Sequence, residues 1–457
     1  MRMTFLSDAA IIMLAELIKW SSPWYIRQTM FTLIQRGWRY TVFMMTIVMF
    51  VVFPSSEEYA TYRIPSFAEL WGSVLPETVK LPATILEMPL IEEPSAALLS
   101  ENDFARLFPT PDALKYHVAL WKDIFGRYTS RQVVLYDSWY PQLVYEVIDR
   151  DSGSANVTAR IKAYRSILRS LAHKEKHGGL NSLTPAERRV YKLFDTVTEK
   201  NRFSKAAERQ MRGQNGQYER FLQALQASGM YQQKFTRIFQ EYGVPVELTW
   251  LPFVESFYNY KAYSHAGAAG VWQFISSTAR LYDLKISSAA DERFDPFKSA
   301  DAAARLLKAN HELLHTWPLA VTAYNHGTVG MLRAARQFGS DDFGKIAMNY
   351  RSSSFGFYSR NYYAEFVAVA QLMRENQQKF KAIERLPAIT FDEVCLEQRM
   401  FLRDVAAALS VSPDELGELN RDFKKNVLKS KIPIPKRFRL KVPAGKKEEL
   451  LAAVGTP

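Results

Sequence analysis

Hydrophobic residues recur along much of this 457-residue chain at intervals that suit α-helices. Between residues 112 and 169 aromatic and aliphatic side chains recur at mixed spacing, and between 184 and 239 the helical signals strengthen. Thr184-Pro185-Ala186-Glu187 is a capping-box sequence with proline at the first helical position, so a helix is expected to begin there. The pattern predicts a mostly helical region over residues 112–239.

The stretch from residue 240 to 386 has the densest helical pattern in the chain. A loop rich in glycine, alanine and serine interrupts it at residues 264–270, and Asp295-Pro296, Trp317-Pro318 and His326-Gly327 mark further breaks. Glycine and proline commonly stand where helices begin and end. We therefore expect one helical domain over residues 240–386.

The pattern of residues changes after Pro387, from mainly helical to mixed strand and helix. The segment AITFDEV favours a strand, LRDVAAALS favours a helix, and a capping box at Ser412-Pro413-Asp414-Glu415 precedes a second helix. The segment RFRLKVP again favours a strand. This order predicts a small β-α-α-β module over residues 387–447.

The N-terminal part carries a targeting signal. An uncharged run at residues 40–53 follows three arginines and precedes two glutamates, a layout typical of an export signal or a short membrane anchor. The run is shorter than the roughly 20 residues of a straight membrane span, which favours a signal, but no A-x-A-like cleavage site follows it. Residues 1–54 are thus a cleaved signal or a retained anchor. A buried core helix and a true start at Met30 stay open as alternatives.

Residues 55–111 separate this signal from the helical part of the chain. They are rich in proline, serine and glutamate and contain only short apolar patches. Such a composition is typical of an extended linker, so we expect little fixed structure here.

The charge distribution and the cysteine content limit the range of possible functions. The chain has 59 Lys and Arg against 47 Asp and Glu, a net charge of +12. Residues 421–447 contain 11 Lys and Arg against one Asp, so much of the excess lies in the C-terminal module. This distribution argues against a nucleic-acid-binding enzyme and favours a local basic patch. A single cysteine excludes an intrachain disulfide and a cysteine-rich metal site.

Glu255 is the most unusual acidic residue in the sequence. It stands in LTWLPFVESFYNY, with aliphatic and aromatic residues on both sides. Apolar neighbours desolvate a carboxylate and raise its pKa, as a general acid at neutral pH requires. A glutamate on the polar face of an amphipathic helix is the alternative interpretation.

Two further polar clusters could bind a ligand. Gln273 follows the loop AGAAG, whose small residues would let a bulky ligand approach the backbone. Tyr324 and Asn325 stand beside His326 at a predicted helix end. Taken singly, a tight turn and a polar helix cap explain these clusters equally well.

The sequence HELLH at residues 311–315 matches the H-E-x-x-H pattern of zinc proteases. Trp317-Pro318 breaks the helix directly afterwards, and no third ligand follows at the spacing of the longer zinc motif. Two histidines near a helix C-terminus, favoured there by the helix dipole, are the structural alternative. A zinc metalloprotease using His311 and His315 is the competing enzyme hypothesis.

Several of these motifs occur in one fixed order along the chain. They are Glu255-Ser256, Ser264, GAAGVWQF ending at Gln273 and Phe274, DERFDP at 291–296, and Ala323-Tyr324-Asn325. This set resembles the lytic transglycosylases with a goose-lysozyme-like catalytic domain, and among them the membrane-bound type D group. The resemblance covers about residues 244–373 and extends upstream through Arg212-Gly213-Gln214.

The resemblance implies a mainly α-helical fold, with a lysozyme-like catalytic domain and a helical N-terminal extension. It gives Glu255 the role of the only catalytic carboxyl group. Glu255 would protonate the glycosidic oxygen between N-acetylmuramic acid and N-acetylglucosamine, then accept the proton of the muramyl 6-hydroxyl, which yields a 1,6-anhydro product. The substrate's acetamido group would take the place of a second carboxylate. The resemblance implies no metal or other cofactor.

The resemblance also indicates which residues line the substrate groove. These are Ser256, Ser264, Gln273, Phe274, Tyr324, Asn325 and Tyr362. The family's E-T-R-x-Y motif is replaced here by Tyr358-Ser359-Arg360-Asn361-Tyr362, without its glutamate and threonine. The acids that could serve as a second carboxylate are Asp283, Asp291, Glu292 and Asp295, although the alternation in DERFDP favours a turn held by ion pairs.

The C-terminal module resembles a degenerate LysM peptidoglycan-binding domain, through VAAALSVSPDELGELN and the closing RLKVP. Packing of this module against the catalytic domain is the alternative. These resemblances imply a periplasmic cell-envelope enzyme, free or anchored to the inner membrane, that acts on peptidoglycan glycan strands and not on nucleic acid. A catalytically inactive peptidoglycan-binding scaffold is the non-enzyme alternative.

Overall fold

The fold was obtained as a computed structural model that describes residues 98–150 and 157–454. The predicted export segment at 40–53 and most of the predicted linker lie outside these residues. Within the part that is described, no helix is both long enough and apolar enough to cross a membrane.

The described chain begins with a helix where the sequence predicted an extended linker. Helix α1 spans Glu101–Leu107, and Ser100 caps it by accepting a hydrogen bond from the Asp103 amide. Phe104 and Phe108, one helical turn apart, are buried in the main core. The linker prediction is therefore wrong for residues 98–111, because two aromatic side chains at helical spacing anchor this segment.

The region predicted to be mostly helical, 112–239, contains six α-helices over its described residues, which exclude 151–156. They are α2 (Lys115–Gly126), α3 (Val157–His177), α4 (Pro185–Leu193), α5 (Arg202–Lys205), α6 (Tyr218–Ser228) and α7 (Gln232–Glu241). The predicted capping box is confirmed at the start of α4. Thr184 accepts a hydrogen bond from the Glu187 amide, and the Glu187 carboxylate accepts one from the Thr184 amide.

The same region also forms a sheet that the sequence pattern did not predict. Strands β1 (Gln132–Asp137), β2 (Val144–Asp149) and β3 (Met211–Asn215) are antiparallel in the order β2-β1-β3. Val133 and Leu135 of β1 enter a small core with α3 and α4, whereas Val134 and Tyr136 enter the main core. Burial on both faces removes the alternation of polar and apolar residues that would have revealed this strand.

The predicted mainly helical fold is confirmed over residues 240–386, the predicted catalytic domain, which is called the catalytic region below. Its helices are α8 (Pro252–Glu255), α9 (Ser276–Leu281), α10 (Pro296–Leu314), α11 (Trp317–His326), α12 (Thr328–Phe338), α13 (Phe343–Asn349), α14 (Phe357–Glu375) and α15 (Gln377–Lys381). Helix α14 is buried along most of its length and packs against α2, α8 and α11. One hydrophobic core runs from Phe104 to Phe380, so helices α6 and α7 are continuous with the catalytic region.

The C-terminal module has the predicted β-α-α-β order, with one further helix before the second strand and another after it. It contains β4 (Asp392–Cys395), α16 (Leu402–Ala408), α17 (Pro413–Leu419), α18 (Lys425–Leu428), β5 (Arg439–Val442) and α19 (Lys447–Val454). Strands β4 and β5 pair antiparallel around a separate hydrophobic core. Ser412 caps α17 by accepting a hydrogen bond from the Glu415 amide.

A buried ion-pair network joins this module to the catalytic region. Asp295 caps α10 by accepting hydrogen bonds from two backbone amides, and it also pairs with Lys441 of β5. Lys298 of α10 lies 3.0 Å from Glu292 and 2.9 Å from Asp422 of the module. Because Asp295 and Lys441 are both buried, each charge depends on its partner for stabilisation.

Backbone contacts reinforce this junction. The Asp291 amide donates to the Asp422 carbonyl at 2.8 Å, and the Lys424 amide donates to the Ala289 carbonyl at 2.9 Å. Lys441 is therefore part of the junction and not of an exposed basic patch. The Lys424 ammonium also contacts the catalytic region, because it donates a hydrogen bond to the Ser287 carbonyl. The basic-patch expectation is wrong for Lys441, because its ammonium group is buried and paired with the Asp295 carboxylate.

Lys441→Ala should destabilise the protein, because it leaves the buried Asp295 carboxylate without its ammonium partner. Loss of one partner of a buried pair costs about 3–5 kcal/mol. Calorimetric or urea unfolding measures the effect. The matched control is Lys436→Ala, which removes an exposed lysine of the same module and should change the unfolding free energy by less than about 0.5 kcal/mol. Equal effects of the two substitutions would contradict the buried junction.

Candidate active site

Glu255 is the last residue of the short helix α8, which begins at Pro252. Proline at the first helical position fixes the start of this helix, and the chain turns sharply after Glu255. Phe257 and Tyr258 both adopt positive φ angles, 52° and 57°, which are uncommon for aromatic residues. The turn is held by the Tyr258 hydroxyl, which donates to the Thr249 carbonyl at 2.9 Å. Glu255 is thereby fixed at a constrained corner of the backbone.

The surroundings of Glu255 favour its protonated form. Burial raises the pKa of Glu255 to about 7, although a hydrogen bond from the Tyr362 hydroxyl acts in the opposite direction. Tyr362 is on α14, 107 positions further along the chain, and its hydroxyl donates to Oε1 of Glu255. Glu255 as a residue is of intermediate exposure, so it is not sealed from solvent; the space beside its carboxyl group is called the cleft below. A carboxyl group with this pKa can donate a proton at neutral pH and accept one afterwards.

Tyr324 lies close to the same carboxyl group. Burial and the negative charge of ionised Glu255 raise the pKa of the Tyr324 phenol well above its ordinary value. Its hydroxyl donates to the Trp272 carbonyl at 2.8 Å, and its ring lies edge-on to the Phe274 ring, with the centroids 6.0 Å apart. The structure thus brings together Glu255, Phe274, Tyr324 and Tyr362 from four separate parts of the sequence.

A second carboxyl group, which the sequence analysis did not identify, belongs to Glu365. It follows Tyr362 by three positions on α14 and so lies on the same face of the helix. Burial and the charge of Glu255 raise the pKa of Glu365 to about 8. Like Glu255, it is an isolated acid in an apolar run, NYYAEFVAVA, and that signal could have identified it.

The loop rich in small residues is held against the DERFDP turn. The Arg293 guanidinium donates to the Gly267 carbonyl at 2.7 Å and to the Phe274 carbonyl at 3.1 Å, and it pairs with Asp291 at 2.8 Å. Gly270 has φ +78° and lies so close to the Arg293 carbonyl oxygen that a Cβ atom there would approach to 1.9 Å. Only glycine fits this position. The prediction that Asp291 belongs to an ion-paired turn is confirmed.

The remaining predicted groove residues near this loop are engaged with the backbone. Ser256 Oγ donates to the Val271 carbonyl at 2.8 Å, and Gln273 Nε2 donates to the Gly270 carbonyl at 2.8 Å. Ser264 Oγ accepts a hydrogen bond from the Ala268 amide at 3.0 Å. These three side chains therefore shape the wall of the cleft, and none of their described hydrogen bonds reaches Glu255.

Asn325 and Ser359 connect the end of α11 to the start of α14. Asn325 is exposed, and its side-chain oxygen accepts a hydrogen bond from the Ser359 hydroxyl at 3.0 Å. Ser359 occupies the threonine position of the E-T-R-x-Y motif, so the serine hydroxyl retains a hydrogen-bonding group there. Asn325 and Tyr362 are thereby held on the same side of α14.

The other candidate carboxylates are engaged elsewhere. Asp291 pairs with Arg293, Glu292 with Lys298, and Asp295 with Lys441. Asp283 is exposed and lies 3.0 Å from Arg305. These contacts favour structural roles for the four acids.

The geometry does not favour the zinc hypothesis. Helix α10 ends at Leu314, and His315 follows it with a left-handed φ of 64°. The two histidines therefore do not share a regular helical turn, which the H-E-x-x-H site requires. His311 stacks on Trp317 with ring centroids 4.1 Å apart. Over residues 98–150 and 157–454, no group of three potential metal ligands comes together.

Comparison with known proteins identifies two domains in the chain. Residues 235–346 match the family model described as the transglycosylase SLT domain. Residues 390–454 match the model described as the LysM-like domain of the lytic transglycosylase MltD. The second match includes α19, so the module extends beyond the predicted limit at residue 447.

Two curated relatives carry the same name. Membrane-bound lytic murein transglycosylase D of Escherichia coli strain K12 is 29% identical over 209 residues, which are 42% of this chain and 44% of that protein. The protein of that name from Escherichia coli O6:H1 gives the same values. The match thus spans less than half the length of either relative. This chain contains a transglycosylase SLT domain followed by an MltD-type LysM-like domain, and it is homologous to membrane-bound lytic murein transglycosylase D.

Proposed function

We propose that this protein is a peptidoglycan lytic transglycosylase that cleaves the β-1,4 bond between N-acetylmuramic acid and N-acetylglucosamine. The observation that supports this most directly is the partly buried Glu255 carboxyl group, whose pKa is raised to about 7 inside a cleft lined by two tyrosines. The SLT-domain match and the homology to a murein transglycosylase point to the same reaction.

The reaction uses one carboxyl group twice. Protonated Glu255 donates its proton to the glycosidic oxygen as the bond to C1 of the muramyl residue breaks. The resulting carboxylate accepts the proton of the muramyl 6-hydroxyl while that oxygen attacks C1, which forms the 1,6-anhydro ring and restores the acid. No water is consumed, and Glu255 ends the reaction with the same number of protons as it had at the start.

Tyr362 and Tyr324 influence the proton transfers of Glu255. Tyr362 donates a hydrogen bond to the Glu255 carboxylate, and such a bond stabilises the charged form that exists between the two proton transfers. Tyr324 lies near the same carboxyl group and has its hydroxyl fixed by the Trp272 carbonyl. Both rings also limit the access of water, which would otherwise compete with the 6-hydroxyl.

Glu365 does not supply a second anionic carboxylate at neutral pH. Its pKa is raised to about 8, so the group is mostly protonated at pH 7. A protonated carboxyl group cannot act as the nucleophile or the anionic stabiliser of a two-carboxylate glycosidase. The acetamido group of the substrate supports the oxocarbenium-like centre in this proposal, and the reaction needs no cofactor.

Groove binding is assigned to Ser256, Ser264, Gln273, Phe274, Tyr324, Asn325 and Tyr362. Within this set, Asn325 is the exposed amide next to the catalytic tyrosines, so it is suited to bind a sugar hydroxyl or acetamide. Ser256, Ser264 and Gln273 act by shaping the loop, in line with their backbone hydrogen bonds.

The partner and location follow from the same proposal. Peptidoglycan glycan strands are the substrate, and the LysM-like module, which packs on the catalytic region, presents its free surface to the same polymer. The protein then works in the cell envelope on the periplasmic side, with residues 1–54 as the export signal or inner-membrane anchor. The name of the relatives, which specifies a membrane-bound protein, supports this location.

Glu255→Gln should abolish the formation of anhydromuropeptides from purified peptidoglycan sacculi, with a loss of at least about 10³-fold. The side chain keeps its size and its ability to accept the Tyr362 hydrogen bond, so sacculus binding should persist. Mass spectrometry of the soluble products measures the effect. Products with reducing ends from the wild type would indicate a hydrolytic muramidase, and undiminished activity of the variant would contradict the assignment of Glu255.

Tyr362→Phe should shift the alkaline limb of the pH–rate profile to higher pH. The Tyr362 hydroxyl lowers the pKa of Glu255, so its removal raises that pKa and keeps the acid protonated to higher pH. The wild-type limb is expected near pH 7, and the variant limb above it, in kcat/KM measured against pH. Tyr116→Phe, on the exposed face of α2, is the matched control and should leave the limb in place. A downward shift in Tyr362→Phe would contradict the proposed contact.

Glu255→Gln should also stabilise the fold at neutral pH. An acid whose pKa rises on folding loses stability as the pH increases from its unfolded value near 4.5 to its folded value of about 7. The variant should gain about 1–3 kcal/mol relative to wild type at pH 8 and almost nothing at pH 4. Thermal unfolding at the two pH values measures this difference, and a gain that is equal at both would contradict the raised pKa.

A further inference from the structure

Three arginines beside the cleft lie on aromatic rings. The guanidinium carbons of Arg351 and Arg360 are 4.4 and 3.8 Å from the centroid of the Trp139 ring. The guanidinium carbon of Arg212 is 3.9 Å from the centroid of the Phe357 ring and 6.0 Å from that of the Tyr358 ring. We refer to Trp139, Arg212, Arg351, Phe357, Tyr358 and Arg360 as the arginine–aromatic cluster.

The positive charge of this cluster is not balanced by ion pairs. Within the described residues, none of its three arginines has a carboxylate at salt-bridge distance. Arg351 Nη1 donates to the Tyr350 carbonyl at 3.0 Å, and Arg360 Nη2 lies 3.5 Å from the Ser138 carbonyl. Arg360 is only 8% exposed, and its buried Nε has no hydrogen-bond partner. A buried, unsatisfied guanidinium donor is costly unless a ligand completes it.

A carboxylate close enough to influence Arg360 electrostatically, that of Asp137, is already engaged. Asp137 is fully buried, and its Oδ1 accepts hydrogen bonds from the Trp139 and Tyr140 amides. Burial raises the pKa of Asp137 to about 6, so this carboxyl group is more easily protonated than an exposed aspartate. Burial, and then the neighbouring Arg351 charge, lower the pKa of Arg360 to about 10, as expected where positive charges crowd together.

The start of α14 adds to the attraction for anions. The 19-residue helix begins after Gly356, which provides no side-chain cap, and its first turn contains no acidic residue. The free backbone amides and the positive end of the helix dipole therefore favour a negative group at this end. Phe357 and Tyr358 of the cluster lie in that first turn.

The cluster is adjacent to the catalytic cleft. Tyr358 is four positions before Tyr362, so the two side chains lie one turn apart on the same face of α14, about 5–6 Å between their Cβ atoms. Tyr358 is 57% exposed, and Arg351 is exposed as well, so the surface is open to a ligand. A polymer bound over Glu255 would place its neighbouring substituents here.

A guanidinium group binds carboxylates in a bidentate manner, and aromatic rings pack against the apolar parts of a peptide. In peptidoglycan, each muramyl residue carries a short peptide rich in carboxylates, attached next to the bond that is cleaved. We propose that the arginine–aromatic cluster binds a stem-peptide carboxylate of the glycan strand that occupies the cleft. This inference rests on the proposed function and adds a subsite for the peptide to the groove for the sugar.

The test uses full-length protein in the Glu255→Gln background, so that the ligand is not consumed. Isothermal titration calorimetry compares two probes: soluble glycan strands that carry stem peptides, and the same strands after amidase removal of those peptides. Arg212→Gln combined with Arg351→Gln should weaken binding of the peptide-bearing strands about tenfold or more. Binding of the peptide-free strands should stay unchanged. Arg360 is left intact because its burial makes a folding defect the expected result of its replacement.

Arg169→Gln is the matched control, since it removes an exposed arginine of α3 outside the cluster, and it should alter neither affinity. Equal weakening for both strand types would overturn the proposal, because it would assign the arginines to sugar binding or to folding. Unchanged binding of the peptide-bearing strands would overturn it as well. In the active background, the double variant should raise KM for peptide-bearing strands and leave kcat unchanged.

Failure of this inference and failure of the proposed function give different results. If only the peptide subsite is wrong, the wild-type enzyme still releases anhydro products, and the double variant binds both strand types either as the wild type does or with equal weakening. If the proposed function is wrong, the wild-type enzyme releases no anhydro product from either type of strand.

Discussion

The contact between Glu255 and Tyr362 is the constraint on which the site depends. It places a carboxyl group from the end of α8 against a hydroxyl from α14, a helix that is buried along most of its length. The sharp turn at Phe257 and Tyr258 fixes Glu255 from one side, and the packing of α14 fixes Tyr362 from the other. A carboxyl group held in this way is desolvated without losing access to the cleft, and that balance sets its raised pKa.

Helix α14 contributes both to the hydrophobic core and to the site. Its apolar residues complete the core with α2 and α11, and Tyr362 and Glu365 reach the neighbourhood of Glu255. Its first turn forms the arginine–aromatic cluster together with Arg351, which precedes the helix, and with Trp139 and Arg212 from the sheet region. The sheet is therefore part of the surface around the cleft, and a substitution at the start of α14 can affect substrate binding without touching Glu255.

The parts of the site that are local in sequence could be predicted from the sequence. Glu255 could be identified from its apolar neighbours, and the DERFDP turn from its alternating charges. The Tyr362 hydrogen bond, the position of Glu365 and the cluster of three arginines depend on residues far apart in the chain, so only the fold reveals them. The same applies to the pairing of Asp295 with Lys441, which joins two modules that appear separate in the sequence. Strand β3, with the sequence MRGQN, has little β propensity and forms because β1 offers it a partner.

The central claim is that the pKa of Glu255 is raised to about 7 in the folded protein, so a large fraction of this carboxyl group is protonated at neutral pH. Infrared difference spectroscopy of wild type against Glu255→Gln, followed from pH 4 to pH 9, observes this carboxyl group directly, because the subtraction removes groups common to both proteins. The account predicts that the protonated carboxyl band assigned to Glu255 disappears with a midpoint near pH 7. A midpoint near pH 4.5, the value of an exposed glutamate, would contradict it.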